Sequence, residues 1–201
     1  MDTYEKICQA PLGIGQFSHL TKDTPEGLIM EFGVGDGGSL KSLAGVAQQL
    51  NRTVYGFDWF MGLPEDCGGA DQKGSFSTGG KLPSLSNHPN VEIIKGLFQD
   101  TLSGFLEEHQ ELMAFVHIDV DLYSSAAFIL SHIEKRLQSG TILAFDEMVD
   151  WHNDLPADHY GHWRNSEYKA FNEMLARNVG MTWKCLSRGE ANQVAIKILS
   201  T

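Results

Sequence analysis

The sequence predicts an α/β fold: a doubly wound, mostly parallel seven-stranded sheet that ends in an antiparallel hairpin. Three observations predict it. Five apolar runs of strand length are interspersed along the chain with four amphipathic runs of helix length. Two of these runs, Phe115 to Ile118 and Thr141 to Phe145, are largely apolar, as strands covered on both faces are. The last two β-like runs, Met181 to Leu186 and Gln193 to Leu199, are joined only by Ser187-Arg-Gly-Glu-Ala-Asn192, a hairpin connection.

In order, Gly27 to Phe32 reads as the first strand and Ser39 to Leu50 as a helix capped by Ser39. Thr53 to Asp58 is the second strand. A Gly-, Ser-, Asn- and Pro-rich stretch, 59–89, follows as a lid-like loop, since loops this long in compact domains are commonly functional. Val91 to Lys95 is the third strand, with a helix near Asp100 to Glu108. The fourth strand ends at Asp119 or just beyond, and Ser124 to Arg136 forms the next helix. After the fifth strand, 149–164 is a second lid-like loop, leading to a helix from Ser166 to Asn178. The first 26 residues read as an N-terminal helical segment, and residues 1–201 as a single domain.

Composition narrows the function. A net charge of −11 argues against a nucleic-acid surface and against an anionic membrane, both of which call for a basic face. Three cysteines without CxxC spacing suggest neither a disulfide framework nor a zinc site, so reduced thiols are expected. No apolar run reaches membrane-span length, and Met1 to Lys6 does not read as a signal peptide. The expectation is a soluble cytoplasmic protein.

Chemistry gathers at the strand ends, where ligands of open α/β sheets bind. The fourth strand runs into Asp119-Val-Asp121 and the fifth into Asp146-Glu147. Four acids at one edge repel one another unless a cation or a shared proton offsets them. The first strand runs into Glu31-Phe-Gly33-Val-Gly35-Asp-Gly37-Gly38-Ser39, a turn that admits close backbone approach with a helix N-terminus behind it. Asp58, twenty residues past Gly38, is placed to bind a ribose diol. The turn and Asp58 alone fit NAD as well as S-adenosylmethionine. Glu31 favours a ligand with an amino-acid end, the hairpin is foreign to most dinucleotide folds, and the chain leaves no length for a separate substrate domain. A Walker loop is excluded, because Gly79-Gly80-Lys81 is followed by Leu82.

Read together, EFGVGDGGS (Glu31 to Ser39), YGFDWFMGLPED (Tyr55 to Asp66), GSFSTGGKLP (Gly74 to Pro83), HIDVDLYSS (His117 to Ser125), ILAFDE (Ile142 to Glu147) and EYKAFNE (Glu167 to Glu173) carry a resemblance. The chain resembles class I S-adenosylmethionine-dependent methyltransferases and is similar, within them, to the macrocin O-methyltransferase-like family. The resemblance implies a Rossmann-like fold and methyl transfer to a hydroxyl of a small molecule, a sugar or another natural product. It implies that Glu31, Gly33, Gly35, Gly37, Gly38 and Ser39 hold the methionine end of the cofactor and that Asp58 takes the ribose. Trp59, Phe98 and Gln99 are expected beside the adenine, with Asp119 also near the cofactor. Metal-dependent relatives imply Mg²⁺ on Asp119, Asp146 and Glu147, which suits oxygen-only ligation. Glu147 departs from the Asp or Asn of those relatives by its longer arm. Asp119 and Asp121 are candidates to take the departing proton; Asp121 equally reads as support for the ion or as a helix N-cap. His152, in the second lid-like loop, is a further candidate base. Relatives often dimerise through the N-terminal segment or the lid, so a homodimer is expected as well. An NAD-binding reductase and a cofactor-binding module without turnover are the alternative readings.

Overall fold

The computed structural model describes residues 2–13, 17–67, 71–150, 159 and 162–201. Seven strands form one sheet: β1 (Leu28–Phe32), β2 (Val54–Asp58), β3 (Val91–Lys95), β4 (Met113–Ile118), β5 (Ile142–Phe145), β6 (Thr182–Arg188) and β7 (Val194–Ser200). Their order is β3-β2-β1-β4-β5-β7-β6, with the first five parallel. β7 runs antiparallel to both β5 and β6, as the hairpin reading expects. The chain leaves β1 to one side for β2 and returns on the other for β4. The crevice beyond the carboxyl ends of β1 and β4 is therefore the topological switch point.

Side-chain alternation sorts the core into two layers. Met30, Phe32, Val116, Ile118, Leu143 and Phe145 face α3 (Phe98–Glu108), α4 (Tyr123–Ile133) and α5 (Glu167–Arg177). Ile29, Phe115, Ile142 and Ala144 face α2 (Gly38–Gln49), which contributes Leu40, Leu43, Ala44 and Ala47. The same alternation sets Glu31 and His117 on the α2 side, and carries Asp119 and Asp146 there one step beyond the strands. The ladder continues to those two residues, since Asp119 N donates to Phe32 O at 2.9 Å and Asp146 N to Ile118 O at 2.9 Å.

The N-terminal segment forms α1 (Thr3–Cys8) and a 3-10 turn at Ser18–Asp23. α1 is closed by a capping box between Asp2 and Glu5. Local details depart from the sequence reading. Ser39 does not cap α2: Gly37 takes the cap position with φ +82°, and Ser39 is the second helical residue. A Cβ on Gly37 would meet Pro83 at 2.7 Å, so that glycine serves both the turn and the packing of the loop above it. α3 starts at Phe98, ahead of the expected Asp100. Between Asp58 and Val91 the described residues form no helix or strand. They are tied across instead, by Leu63 N to Ser75 O (2.9 Å), Gly74 N to Leu63 O (2.9 Å) and Gly80 N to Phe60 O (2.8 Å). No helix among the described residues is long and apolar enough to cross a membrane.

Candidate active site

Gly33 holds the first turn against the fourth strand. Its φ is +88°, and a Cβ there would lie 1.7 Å from the carbonyl oxygen of Asp119, a distance no side chain tolerates. Asp58, at the end of β2, clasps this turn: Oδ2 accepts from Gly35 N at 2.8 Å and Oδ1 from Phe60 N at 2.6 Å. Glu31 is fully buried and both of its oxygens are engaged. Oε1 accepts from Ser39 Oγ at 2.9 Å, and Oε2 pairs with His117 Nδ1 at 3.1 Å. Burial opposes the charge on His117, yet the Glu31 hydrogen bond and the nearby acids outweigh it and raise its pKa.

The acids after β4 and β5 are placed differently. The carboxylates of Asp119 and Asp121 accept no hydrogen bond among the described residues. Burial, with repulsion from Asp146, pushes Asp119 up to about 7; burial, with Asp71 and Asp146, pushes Asp121 up to about 6. Glu147 rises to about 8 through burial, against the hydrogen bond it accepts from Asn192 Nδ2 at 2.6 Å. Asp146 Oδ2 receives a longer bond from Gln193 Nε2 at 3.4 Å. The tip of the β6–β7 hairpin thus reaches back to the acidic pair.

Asp121 is not an N-cap. Leu122 holds the cap position of α4, while Asp121 has φ +58° within a γ-turn closed by Leu122 N to Val120 O. Ser166 Oγ donates to the Asp121 carbonyl and steadies this bend. Glu167, at the start of α5, is fully buried and ties the two acidic loops together. Its Oε1 accepts from Val120 N at 3.3 Å and its Oε2 from Glu147 N at 3.0 Å.

These parts surround a cavity of about 540 Å³. Of the expected cofactor residues, Gly33, Gly35, Ser39, Asp58, Trp59, Phe98, Gln99 and Asp119 line it. Asp121, Asp146 and Glu147 line its other end. Glu31 and Gly38 line a second cavity of about 270 Å³, on the α2 side, which shares Ser39, Asp119 and Asp146 with the first. Gly37 touches neither, consistent with its packing role. His152 lies outside the described residues. The ligand atoms that gather for a cation are a ring nitrogen of His117 and one oxygen each of Asp119 and Asp146, all within 4.8 Å of one another; Glu147 is not among them.

His117 and Glu167 lie within HIDVDLYSS and EYKAFNE, and the sequence by itself assigns neither a role. A histidine two residues before an acid on a strand shares its face, so His117 had a signal. Glu167 had none beyond being an acid at a helix start, because its partners are backbone groups of two distant loops.

A family model described as a methyltransferase domain matches residues 30–148, more than half of the chain. No curated protein sequence matches significantly. Among solved structures the chain is similar to CalS11, a calicheamicin methyltransferase, at 23% identity and a TM-score of 0.67, covering 90% of this chain and 75% of that one. It is also similar to the O-methyltransferase NovP, at 19% identity and a TM-score of 0.64, covering 92% and 78%. An O-methyltransferase from Bacillus cereus, solved in complex with SAH, matches at 16% identity and a TM-score of 0.59, covering 98% and 86%. At these identities the likeness establishes the fold.

Proposed function

The chain belongs to the methyltransferase-domain family, and from that premise we propose that it transfers the methyl group of S-adenosylmethionine to a hydroxyl oxygen of a small molecule, assisted by a divalent cation at the strand ends. One observation carries the reading. A single cavity of about 540 Å³ joins the glycine turn and Asp58 at one end to four carboxylates at the other. The first end suits an adenosine ribose and a sulfonium-bearing chain; the second suits an acceptor hydroxyl and the proton it gives up.

When bound, S-adenosylmethionine supplies a methyl group already activated on a sulfonium, so carbon–oxygen bond formation releases a neutral thioether. The protein's share is alignment and proton removal. The glycine turn presents backbone without side chains, and Asp58 keeps that turn closed through Gly35 N and Phe60 N while facing the cavity. Trp59 is fixed by donating its indole N–H to Gly62 O, which sets a flat wall beside the adenine position. Asp121, which burial and the neighbouring acids Asp71 and Asp146 raise to about 6, is matched to receiving a hydroxyl proton near neutral pH. The Asp119 carboxylate, which accepts no hydrogen bond among the described residues, is the group a cation fits; that ion would lower the hydroxyl's pKa and fix its oxygen.

CalS11 is described as a TDP-rhamnose 3′-O-methyltransferase, and we infer from that likeness a sugar or related natural-product hydroxyl as the acceptor class. Calorimetry with S-adenosylmethionine, on wild type and Asp58→Ala, is the first test: tight binding lost in the variant is expected, and no binding by wild type overturns the reading. Methyl transfer to a panel of nucleotide-sugar and glycoside acceptors comes second. Cofactor binding with no acceptor ever methylated would favour a binding module over an enzyme.

A further inference from the structure

The structure assigns the cation at the strand ends a ligand set of His117, Asp119 and Asp146, and with it a preference for a first-row transition dication over Mg²⁺. The inference rests on the strand-end cation proposed above and goes further by naming the third ligand and the class of metal.

Strand geometry builds the set. Ile118 pairs with Phe145, so Asp119 and Asp146 follow side by side on the α2 face. His117, two residues before Asp119, shares that face. A ring nitrogen of His117 and one oxygen from each aspartate lie within 4.8 Å of one another, and all three residues line the cavity of about 270 Å³.

The chemistry around the histidine is that of a metal-bound imidazole. His117 Nδ1 is spent on Glu31 Oε2 at 3.1 Å, which leaves Nε2 as the nitrogen for an ion. Glu31 is itself fixed by Ser39 Oγ at 2.9 Å and has no exposure, so the ring is held by a relay of two hydrogen bonds. A carboxylate on the far nitrogen is the usual support of a ligating histidine, setting its tautomer and increasing its basicity. The other two positions are equally ready. Asp119 accepts no hydrogen bond among the described residues, and Asp146 only the 3.4 Å bond from Gln193.

Glu147, the family-suggested third ligand, lines the larger cavity beside Asp119 and Asp146 but falls outside the group of ligand atoms that His117, Asp119 and Asp146 form. Its Oε2 accepts from Asn192 at 2.6 Å and its backbone N–H is held by Glu167 at 3.0 Å. One imidazole with two carboxylates is a softer donor set than three carboxylates. It favours Mn²⁺, Co²⁺ or Zn²⁺, whereas Mg²⁺ is best served by oxygen alone.

The test uses the full-length chain stripped of metal by a chelator, then titrated calorimetrically with Mn²⁺, Co²⁺ and Mg²⁺. Co²⁺ is expected to bind more tightly than Mg²⁺ by at least about tenfold. Pulsed electron paramagnetic resonance of the Mn²⁺ form is expected to show nitrogen coupling that His117→Ala abolishes. His117→Asn, which keeps a polar side chain but no imidazole, gives the same readout should the alanine variant not fold. Glu31→Gln should weaken the ion by about 10- to 100-fold without removing the coupling. A preference for Mg²⁺, no nitrogen coupling in wild type, or coupling that survives loss of His117 overturns the assignment. So does release of the ion by Glu147→Gln with His117→Ala unaffected. Titrating S-adenosylmethionine in parallel separates the two readings. A chain that binds Mn²⁺ through His117 but no S-adenosylmethionine keeps this site and loses the proposed function. A chain that binds S-adenosylmethionine and no dication loses this site and the cation's part in the proposed function, and keeps the cofactor-dependent methyl transfer.

Discussion

The acids at the ends of β1 and β2 and those at the ends of β4 and β5 are the same chemical groups at the same sheet edge, yet they are solved in opposite ways. Glu31 and Asp58 spend every carboxylate oxygen on a donor within the chain: Ser39, His117, Gly35 N and Phe60 N. Asp119 and Asp121 accept nothing among the described residues, and burial, with repulsion from Asp146 on both and from Asp71 on Asp121, pushes them to about 7 and about 6. The first pair is a frame, whose charge is compensated by the protein itself. The second pair is left short of compensation, so a ligand's charge changes its energy most. Binding and reactivity are thereby divided between the halves of one crevice.

The sharpest way to break the frame is Gly33→Ala. The new Cβ would sit 1.7 Å from the Asp119 carbonyl, and φ +88° is itself costly for alanine. Backbone cannot yield there without moving both halves of the site. A loss on the order of 3 kcal/mol or more is expected, roughly 6–12 °C in Tm, together with loss of S-adenosylmethionine binding. A folded variant with wild-type affinity would show that the turn and β4 are not rigidly joined. Glu167→Ala attacks the link between the acidic loops instead. It strands the N–H groups of Val120 and Glu147, at about 1–3 kcal/mol each when buried. Turnover should fall by at least about tenfold with cofactor affinity nearly unchanged. An equal fall in both would make Glu167 a fold residue rather than a positioning one.

How far the sequence carried this division can be argued residue by residue. The parallel strands, the switch point and the hairpin follow from hydrophobic period and turn chemistry, which are local. The acids were legible for the same reason, since each directly follows a strand. What was not legible is pairing across the sheet. His117 sits in an apolar run and reads as core until register sets it beside Glu31. Glu167 and Asn192 act on loops 20 to 47 positions away, and no local pattern encodes that. Ser39 reads as a cap, yet Gly37, two residues earlier, takes the left-handed cap position and leaves Ser39 inside the first turn.

A gentler change to the frame is Asp58→Asn. One backbone N–H would then face an amide nitrogen instead of an oxygen, at about 1–2 kcal/mol, so the cofactor's Kd should rise by roughly tenfold. Calorimetry at fixed pH checks it, and an unchanged Kd would place the ribose elsewhere. The uncompensated half has a graded signature in pH. Asp119, Asp121 and Glu147 have folded pKa values raised to about 7, 6 and 8. Between about pH 4 and about pH 8 the folded state therefore keeps protons the unfolded chain has shed, and stability falls as pH rises through that window. Urea midpoints in chelator should show the fall, and a saturating dication should flatten it. A flat profile in chelator would mean these acids ionise freely, and the contrast between the halves would dissolve.

The smallest effect on activity is expected at Cys67, which nevertheless reads the contrast from outside. Its thiol is half-buried, lies 3.8 Å from the Asp121 carbonyl, and is pushed up to about 11 by burial first and by Asp121, Asp71 and Glu147 after it. Cys67→Ala should alter turnover by less than about twofold, because a thiol so held is neither nucleophile nor ligand. Its alkylation near pH 8 should be slower than that of exposed Cys8 by on the order of a hundredfold. Part of that retardation is electrostatic, so a dication that neutralises the neighbouring acids should speed the reaction, while the burial part stays. Alkylation by iodoacetamide with and without Mn²⁺, with Cys8 as internal reference, measures the two parts separately. Acceleration confined to Cys67 would place the uncompensated charge at the ends of β4 and β5. No acceleration would leave burial as the whole cause.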